Sequence, residues 1–251
     1  MAMNADVTVC IPARLKSSRF PGKVLADLGG KPVLQRVFER VRSVCDAEGV
    51  IVLCDSEVVY DAAEAFGAHA VYTSESCTSG TERIASALDK IHGEFIVNVQ
   101  GDEPFFDASV IGKMVSKCQT SNASIFTPVY KCVNMRDALD PSCVKVVLDH
   151  GGRALYFSRS VIPFVRDVED IGEWLKHSEL HCHVGVYGYR RKVLENYHNL
   201  VPGKLEYAEK LKQLRFLENG YAIDTVGTSQ PSIGIDTPGD LARANAAISS
   251  E

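Results

Sequence analysis

The sequence predicts an α/β fold: a Rossmann-like, mostly parallel sheet flanked by helices, with a β-rich lobe inserted in the second half. Three observations carry this. In the first half, short runs rich in Val and Ile alternate with amphipathic stretches of helical period. Those runs are apolar throughout, as strands covered by helices on both faces must be. In the second half, strand-like runs follow one another with turn residues between them.

Taken in order, residues 7–11 form a strand that stops at Pro12, and 32–44 (PVLQRVFERVRSV) a helix with Pro32 in its first turn. A strand at 50–54, a helix at 57–66, a strand at 68–72, a helix at 81–91 and a strand at 94–99 complete the alternating half. Beyond it, 123–130, 144–149 and 154–158 are strand-like, with His150-Gly151-Gly152 as the turn between the last two. Residues 184–189 read as another strand, and 205–218 as a helix stopped by Gly220. Asp236 is expected between an apolar strand and a helix opened by Pro238. With no repeat, low-complexity tract or long linker, the expectation is one domain over 1–251. Its parts are a nucleotide-binding portion at about 7–130, the β-rich lobe at about 131–200 and a helical portion at 201–251.

The chain has 251 residues, 45% hydrophobic and 24% charged, with a formal charge of -5. That is ordinary globular composition, and the acidic balance argues against nucleic acid or an anionic membrane as partner. No run approaches the roughly 20 apolar residues of a membrane span. MAMNADVTV has neither a basic n-region nor an apolar h-region, so a cytoplasmic protein is expected. Eight scattered cysteines without a CxxC pair are expected to be reduced thiols. His181-Cys182-His183 does not make a zinc site, because neighbours on a strand point to opposite faces.

The densest chemistry lies at the end of the first strand. There IPARLKSSRFPGK (11–23) gathers Arg14, Lys16, Arg19 and Lys23 with Ser17, Ser18 and Gly22. Such a loop offers cations and backbone N–H groups to one polyanion, the means of holding a nucleoside triphosphate. It is neither a Walker A loop nor a GxGxxG turn, and a solvated basic loop fits the same residues. After the fourth strand, Gln100-Gly101-Asp102-Glu103-Pro104 places Asp102 either to hold a divalent cation or to cap a helix. Asp236 offers the same two readings. Together they put a triphosphate clamp and two carboxylates beyond the carboxyl ends of the strands, where ligands of such sheets bind. Displacement at phosphorus needs charge neutralisation, alignment and a metal, and each has a candidate here.

IPARLKSSRFPGK, SGTER (79–83), NVQGDEP (98–104), VKVVLD (144–149), ALYFSR (154–159), HVGVYGYR (183–190), QLR (213–215) and GIDTP (234–238) occur in that order. On these blocks the chain resembles the 3-deoxy-manno-octulosonate (Kdo) cytidylyltransferases, of nucleotidyltransferase fold, from about Val7 to the C-terminal helix. The resemblance implies that CTP and Kdo give CMP-Kdo and pyrophosphate, for lipopolysaccharide synthesis, with Mg²⁺ assisting. It implies that Arg14, Arg19 and Lys23 hold the triphosphate, and that Asp102 and Asp236 bind Mg²⁺. Pro12, Ala13, Ser79, Gly80, Arg83 and Gln100 would complete the nucleotide site. The sugar site would comprise Gln100, Arg159, His183, Tyr187 and Gln213, and the enzyme would be a homodimer. By themselves, Arg159 is equally a surface ion pair, His183 a core histidine and Tyr187 core packing.

Two positions depart from the family's pattern. Lys212 stands where a Glu usually precedes Gln-Leu-Arg, which inverts a charge near the sugar. Cys182 stands where Arg or Lys often precedes the histidine. The alternatives are the same transfer to another 2-keto acid sugar, such as 8-amino-Kdo or a sialic-type acid, and a non-enzymatic nucleotide-binding relative. The latter would be expected to lose Lys23 or Asp102, which are both present. A nucleotide-sugar glycosyltransferase would need a DxD motif at a strand end, which this chain lacks.

Overall fold

The computed structural model describes residues 6–46, 49–229 and 231–248. The first half alternates as its periodicity predicts: β1 (Val7–Ala13), α1 (Val33–Arg42), β2 (Val50–Cys54), α2 (Glu57–Ala65), β3 (His69–Tyr72), α3 (Gly80–Ala85) and β4 (Phe95–Asn98). There follow α4 (Ser109–Thr120), β5 (Ile125–Lys131), α5 (Met135–Leu139), β6 (Lys145–Leu148), β7 (Ala154–Ser158) and α6 (Trp174–His177). The chain ends with β8 (His181–His183), β9 (Tyr187–Arg190), α7 (Arg191–Glu195), α8 (Lys204–Glu209), α9 (Gln213–Glu218), β10 (Ile223–Gly227) and α10 (Pro238–Ile248).

One sheet runs in the order β3-β2-β1-β4-β9-β5-β8-β6-β7, with β10 also paired to β5. β3, β2, β1 and β4 are parallel, as is β10 to β5, whereas β9, β8, β6 and β7 join by antiparallel pairing. The strands of the second half therefore continue the sheet of the first. Alternation along each strand divides the core into two layers. Val9, Ile11, Val52 and Val97 pack under α1, α2 and α4, and Cys10, Ile51, Leu53 and Ile96 pack under α3, α7 and α9. α1 buries Val33, Leu34, Val37, Phe38 and Val41, the i, i+3/i+4 stripe written in the sequence.

Four elements differ from their expected form. The helix predicted over 81–91 ends at Ala85, where Ser86 Oγ turns back onto Arg83 O (2.8 Å), and resumes as a 3-10 turn at Leu88–Lys90. The helix predicted over 205–218 is two helices, broken where Lys210 adopts a left-handed conformation (φ 55°). Just before the break, the Glu209 carboxylate is held by Ser158 Oγ (2.6 Å) and Arg159 N (2.9 Å), which ties the end of α8 to the end of β7. No strand precedes Asp236; residues 231–237 run as irregular chain.

The fourth difference shapes the cleft. The strand expected at 184–189 is split, because Thr127 and Pro128 of β5 face residues 184–187 between the β8 and β9 ladders. Pro128 O accepts from Val184 N (3.0 Å), so residue 128 points toward these strands, yet proline has no N–H to return. The chain bulges outward here. Thr127 Oγ1 closes the bulge, donating to Val186 O (2.8 Å) and accepting from His183 Nε2 (2.8 Å). Because Thr127 is fully buried, Thr127→Val should destabilise the fold by about 1–3 kcal/mol in urea unfolding, leaving carbonyls and an imidazole N–H unpaired.

Candidate active site

Parallel pairing of β1 with β4 brings the basic loop and the QGDEP turn to one edge of the sheet. Gly101 is required there: a Cβ on it would stand 2.8 Å from Pro12 O, so the two loops touch backbone to backbone. Gly22, left-handed at φ 73°, donates its N–H to Leu15 O (2.9 Å) and folds the basic loop back on itself. That turn delivers Lys23, whose side chain is only 5% exposed, into the cleft.

Lys23 Nζ is the point on which the carboxylates converge. It pairs with Asp102 Oδ2 and with Asp236 Oδ1 (2.7 Å), while Arg19 holds Asp236 Oδ2 from outside (2.9 Å). Burial lowers the Lys23 pKa, but the Asp102 charge and hydrogen bonds to both aspartates outweigh it and raise the net value, so Lys23 remains an ammonium. Asp236 is not the N-cap; that part falls to Thr237, whose Oγ1 accepts from Asp240 N (3.2 Å), while Asp240 Oδ2 accepts in return from Thr237 N (2.7 Å). The donor set suits Mg²⁺: two hard carboxylates already aimed at one positive charge, with no larger cluster of His, Cys, Asp or Glu among the described residues. Mg²⁺ characteristically takes one or two carboxylates and completes its shell with phosphate and water.

Three connected cavities meet at this point. A cavity of about 420 Å³ is lined by Pro12, Ser79, Gly80, Arg83, Arg159 and Lys212, among others. One of about 270 Å³ is lined by Arg14, Ser17, Ser18, Arg19, Lys23 and Asp236. The third, about 670 Å³, has His183, Gly185, Tyr187 and Gln213 on its wall. Gln100 borders the first two, and Tyr187 and Gln213 border the first and third.

The structure gathers Arg14, Arg19, Lys23, Asp102 and Asp236 as expected, with Pro12, Ser79, Gly80 and Gln100 beside them. Ala13 is buried beneath the loop. Lys16 turns away to Glu75 (2.6 Å). Arg83 is 3% exposed and spends its guanidinium on Asp55 Oδ2 (3.2 Å), Thr73 Oγ1 (2.6 Å) and Ser74 O, so it braces the floor of the first cavity. Arg159 also belongs to that cavity, not to the one holding His183, and donates to Glu209 O and Pro141 O (both 2.8 Å). His183 packs between Phe157 and Tyr187 (centroids 5.2 Å each), where burial pushes its pKa down to about 3. The Tyr187 phenol is held well above its ordinary value, first by burial.

Four residues in the site escaped the sequence reading. Asp55 bridges Leu15 N (3.0 Å) and Arg83, and so joins the basic loop to α3. Glu103, beside Asp102, accepts from Ser232 Oγ (2.7 Å); burial and then the Asp102 charge push its carboxyl up to about 7. Glu209 holds Arg159. Glu206 is 6% exposed and receives both Lys212 Nζ (2.9 Å) and Arg215 Nε (2.7 Å), so the charge inverted at position 212 is compensated. Asp55 and Glu103 follow strand ends and carry that much local signal, whereas Glu206 and Glu209 lie in a helical stretch and carry none.

A cytidylyltransferase family model matches residues 8–224. The chain is 44% identical over 254 residues to the 3-deoxy-manno-octulosonate cytidylyltransferase of Porphyromonas gingivalis, covering 99% of each chain. It is 45% identical over 240 residues to that of Geotalea daltonii, covering 94% of this chain and 95% of the relative. Among solved structures, CMP:2-keto-3-deoxy-manno-octonic acid synthetase complexed with CTP superposes with a TM-score of 0.88 at 35% identity, covering 98% of this chain and 99% of that one.

Two outcomes test the electrostatics. The ring protons of His183 should show no titration between about pH 5 and 8 by NMR, although a free imidazole titrates there. Glu206→Gln should cost roughly 2 kcal/mol in chemical unfolding at neutral pH, chiefly through Arg215, because half-exposed Lys212 is screened. Hydrogen bonds from Arg215 and Lys212 overcome burial and lower the Glu206 pKa in the fold. Its contribution is therefore complete above the unfolded value near about 4.3 and fades as pH falls through the lower folded value. The variant's deficit should shrink over that same acid window.

Proposed function

Because the chain belongs to the 3-deoxy-manno-octulosonate cytidylyltransferase family, we propose that it transfers CMP from CTP to the anomeric hydroxyl of Kdo, releasing pyrophosphate. The observation that carries this reading is the convergence of Lys23, Asp102 and Asp236 where three cavities meet. The nucleoside occupies the first cavity, the triphosphate the cationic one and the sugar the third. The α-phosphorus then lies at the junction, where the sugar hydroxyl displaces pyrophosphate in line.

Arg14 and Arg19 are exposed at the mouth and take the outer phosphates by charge-assisted hydrogen bonds. Lys23 is already ionised and ordered, so it opposes charge growing on phosphorus without rearrangement. Asp102 and Asp236 would hold Mg²⁺, which supplies further neutralisation and acidifies the attacking hydroxyl. His183, neutral and bonded to Thr127, orients the acceptor as a polar wall and carries no proton in the step. Tyr187 and Gln213 fix the sugar where it meets the nucleotide.

The same reading makes the protein a cytoplasmic homodimer. Its eight free thiols suit a reducing compartment, and Leu155 and Phe164, 58% and 75% exposed, supply apolar surface in the β-rich part. The deciding assay is pyrophosphate release with CTP, Mg²⁺ and Kdo, beside 8-amino-Kdo and N-acetylneuraminate. Turnover with Kdo is expected, and release only with another acid would move the substrate. Lys23→Met, Asp102→Asn and Asp236→Asn should each lower kcat/KM by about 10²–10³-fold or more. Chelating Mg²⁺ should abolish release in the unaltered protein.

A further inference from the structure

The third cavity has a feature that the transfer reaction does not use. Cys143 lies on its wall just ahead of β6, partly exposed, whereas most of the other thiols are buried. Cys182 is the buried middle residue of β8, on the strand paired with β6. The Tyr130 hydroxyl stands 3.4 Å from Cys143 Sγ. β6 and β8 are antiparallel neighbours with Lys145 opposite Cys182, so paired strands hold the two thiols together.

Lys145 sharpens the site. It is fully buried, and its ammonium donates to the carbonyls of Asp140 (2.8 Å) and Cys143 (2.6 Å), not to a carboxylate. A cation without a carboxylate partner beside thiols favours the thiolate. Hydrogen bonding with Cys182 draws the Cys143 thiol down to about 7 against burial, with Tyr130 and the Lys145 charge contributing. An accessible sulfur of this character beside a second thiol is the arrangement of a redox-reactive pair.

We propose that Cys143 is a peroxide-reactive thiol and Cys182 its resolving partner, so that oxidation reshapes the wall of the third cavity. The Cys143 sulfur attacks one oxygen of hydrogen peroxide: an S–O bond forms, the O–O bond breaks, and the departing hydroxide takes up the thiol proton as water. Cys182 then attacks the sulfenic sulfur, forming the S–S bond and releasing a second water. Two thiols are oxidised by two electrons and one peroxide is reduced. A small-molecule dithiol reverses the change. The effect on activity rests on the proposed placement of the sugar in this cavity, whereas the thiol chemistry does not.

The test treats the full-length protein with hydrogen peroxide and follows it by non-reducing peptide mass mapping and by pyrophosphate release. A Cys143–Cys182 linked peptide is expected. Cys182→Ser should instead accumulate a dimedone adduct on Cys143. Turnover should fall at least about tenfold and return with dithiothreitol, while calorimetric CTP affinity is unchanged. Cys143→Ser should keep its own untreated rate after peroxide. Oxidation confined to other cysteines, equal inactivation of Cys143→Ser, or a linked peptide with full turnover would each overturn the proposal. Silence toward every sugar before oxidation would overturn the functional reading alone, because the peptide map still decides the thiol chemistry.

Discussion

The buried ammonium of Lys23 holds this molecule's working end together. Asp102 and Asp236 arrive from distant segments of the chain, and without a cation between them their charges would repel at short range. Lys23 in turn could not remain charged at 5% exposure without them. The three groups therefore stabilise one another, and the junction of the cavities is charge-matched. The segment carrying Asp236 has no strand to secure it. It is held by this interaction, by Ile235 N donating to Asp102 O (2.8 Å) and by Ile235 in a small apolar cluster with Leu28 and Val33. Site assembly and docking of the C-terminal segment are thus one event.

A second constraint comes from backbone chemistry in the sheet. Pro128 removes a ladder donor from a central strand, and the bulge that follows leaves His183 and Tyr187 ring to ring on the wall of one cavity. The left-handed residue Lys210 does similar work in a helix. By breaking α8 from α9 it turns Leu211 inward, at 6% exposure, and buries Gln213 at 4%. Both interruptions fall where a regular element would have carried its side chains away from the cleft.

Around these interruptions the polar groups are fully accounted for: among the described residues no buried side-chain nitrogen or oxygen lacks a hydrogen-bond partner. Charge sits in opposed sets, Lys23 with two aspartates, Arg83 with Asp55, and Arg215 and Lys212 with Glu206. Burial keeps His183 neutral and Tyr187 protonated. The cleft therefore gathers its cations around the basic loop and sets the uncharged rings of His183 and Tyr187 on the wall of the third cavity.

The sequence by itself determined the alternating half of the fold, the basic loop after the first strand and the placement of Asp102 in the turn after the fourth. Each of these is written locally, as a period of apolar residues or a run of Gly, Pro and charge at a strand end. Only the tertiary structure decided that Arg83 is braced by Asp55 and Thr73, that Arg159 lines the first cavity, that the helix at 205–218 breaks, and that Lys212 is paired with Glu206. Those outcomes depend on partners far away in the chain. Lys23 meets Asp236 across 213 positions, and Ser158 meets Glu209 across 51. A side chain's task in a site is set by which opposite charge or free carbonyl the fold brings to it, and no local pattern encodes that distance.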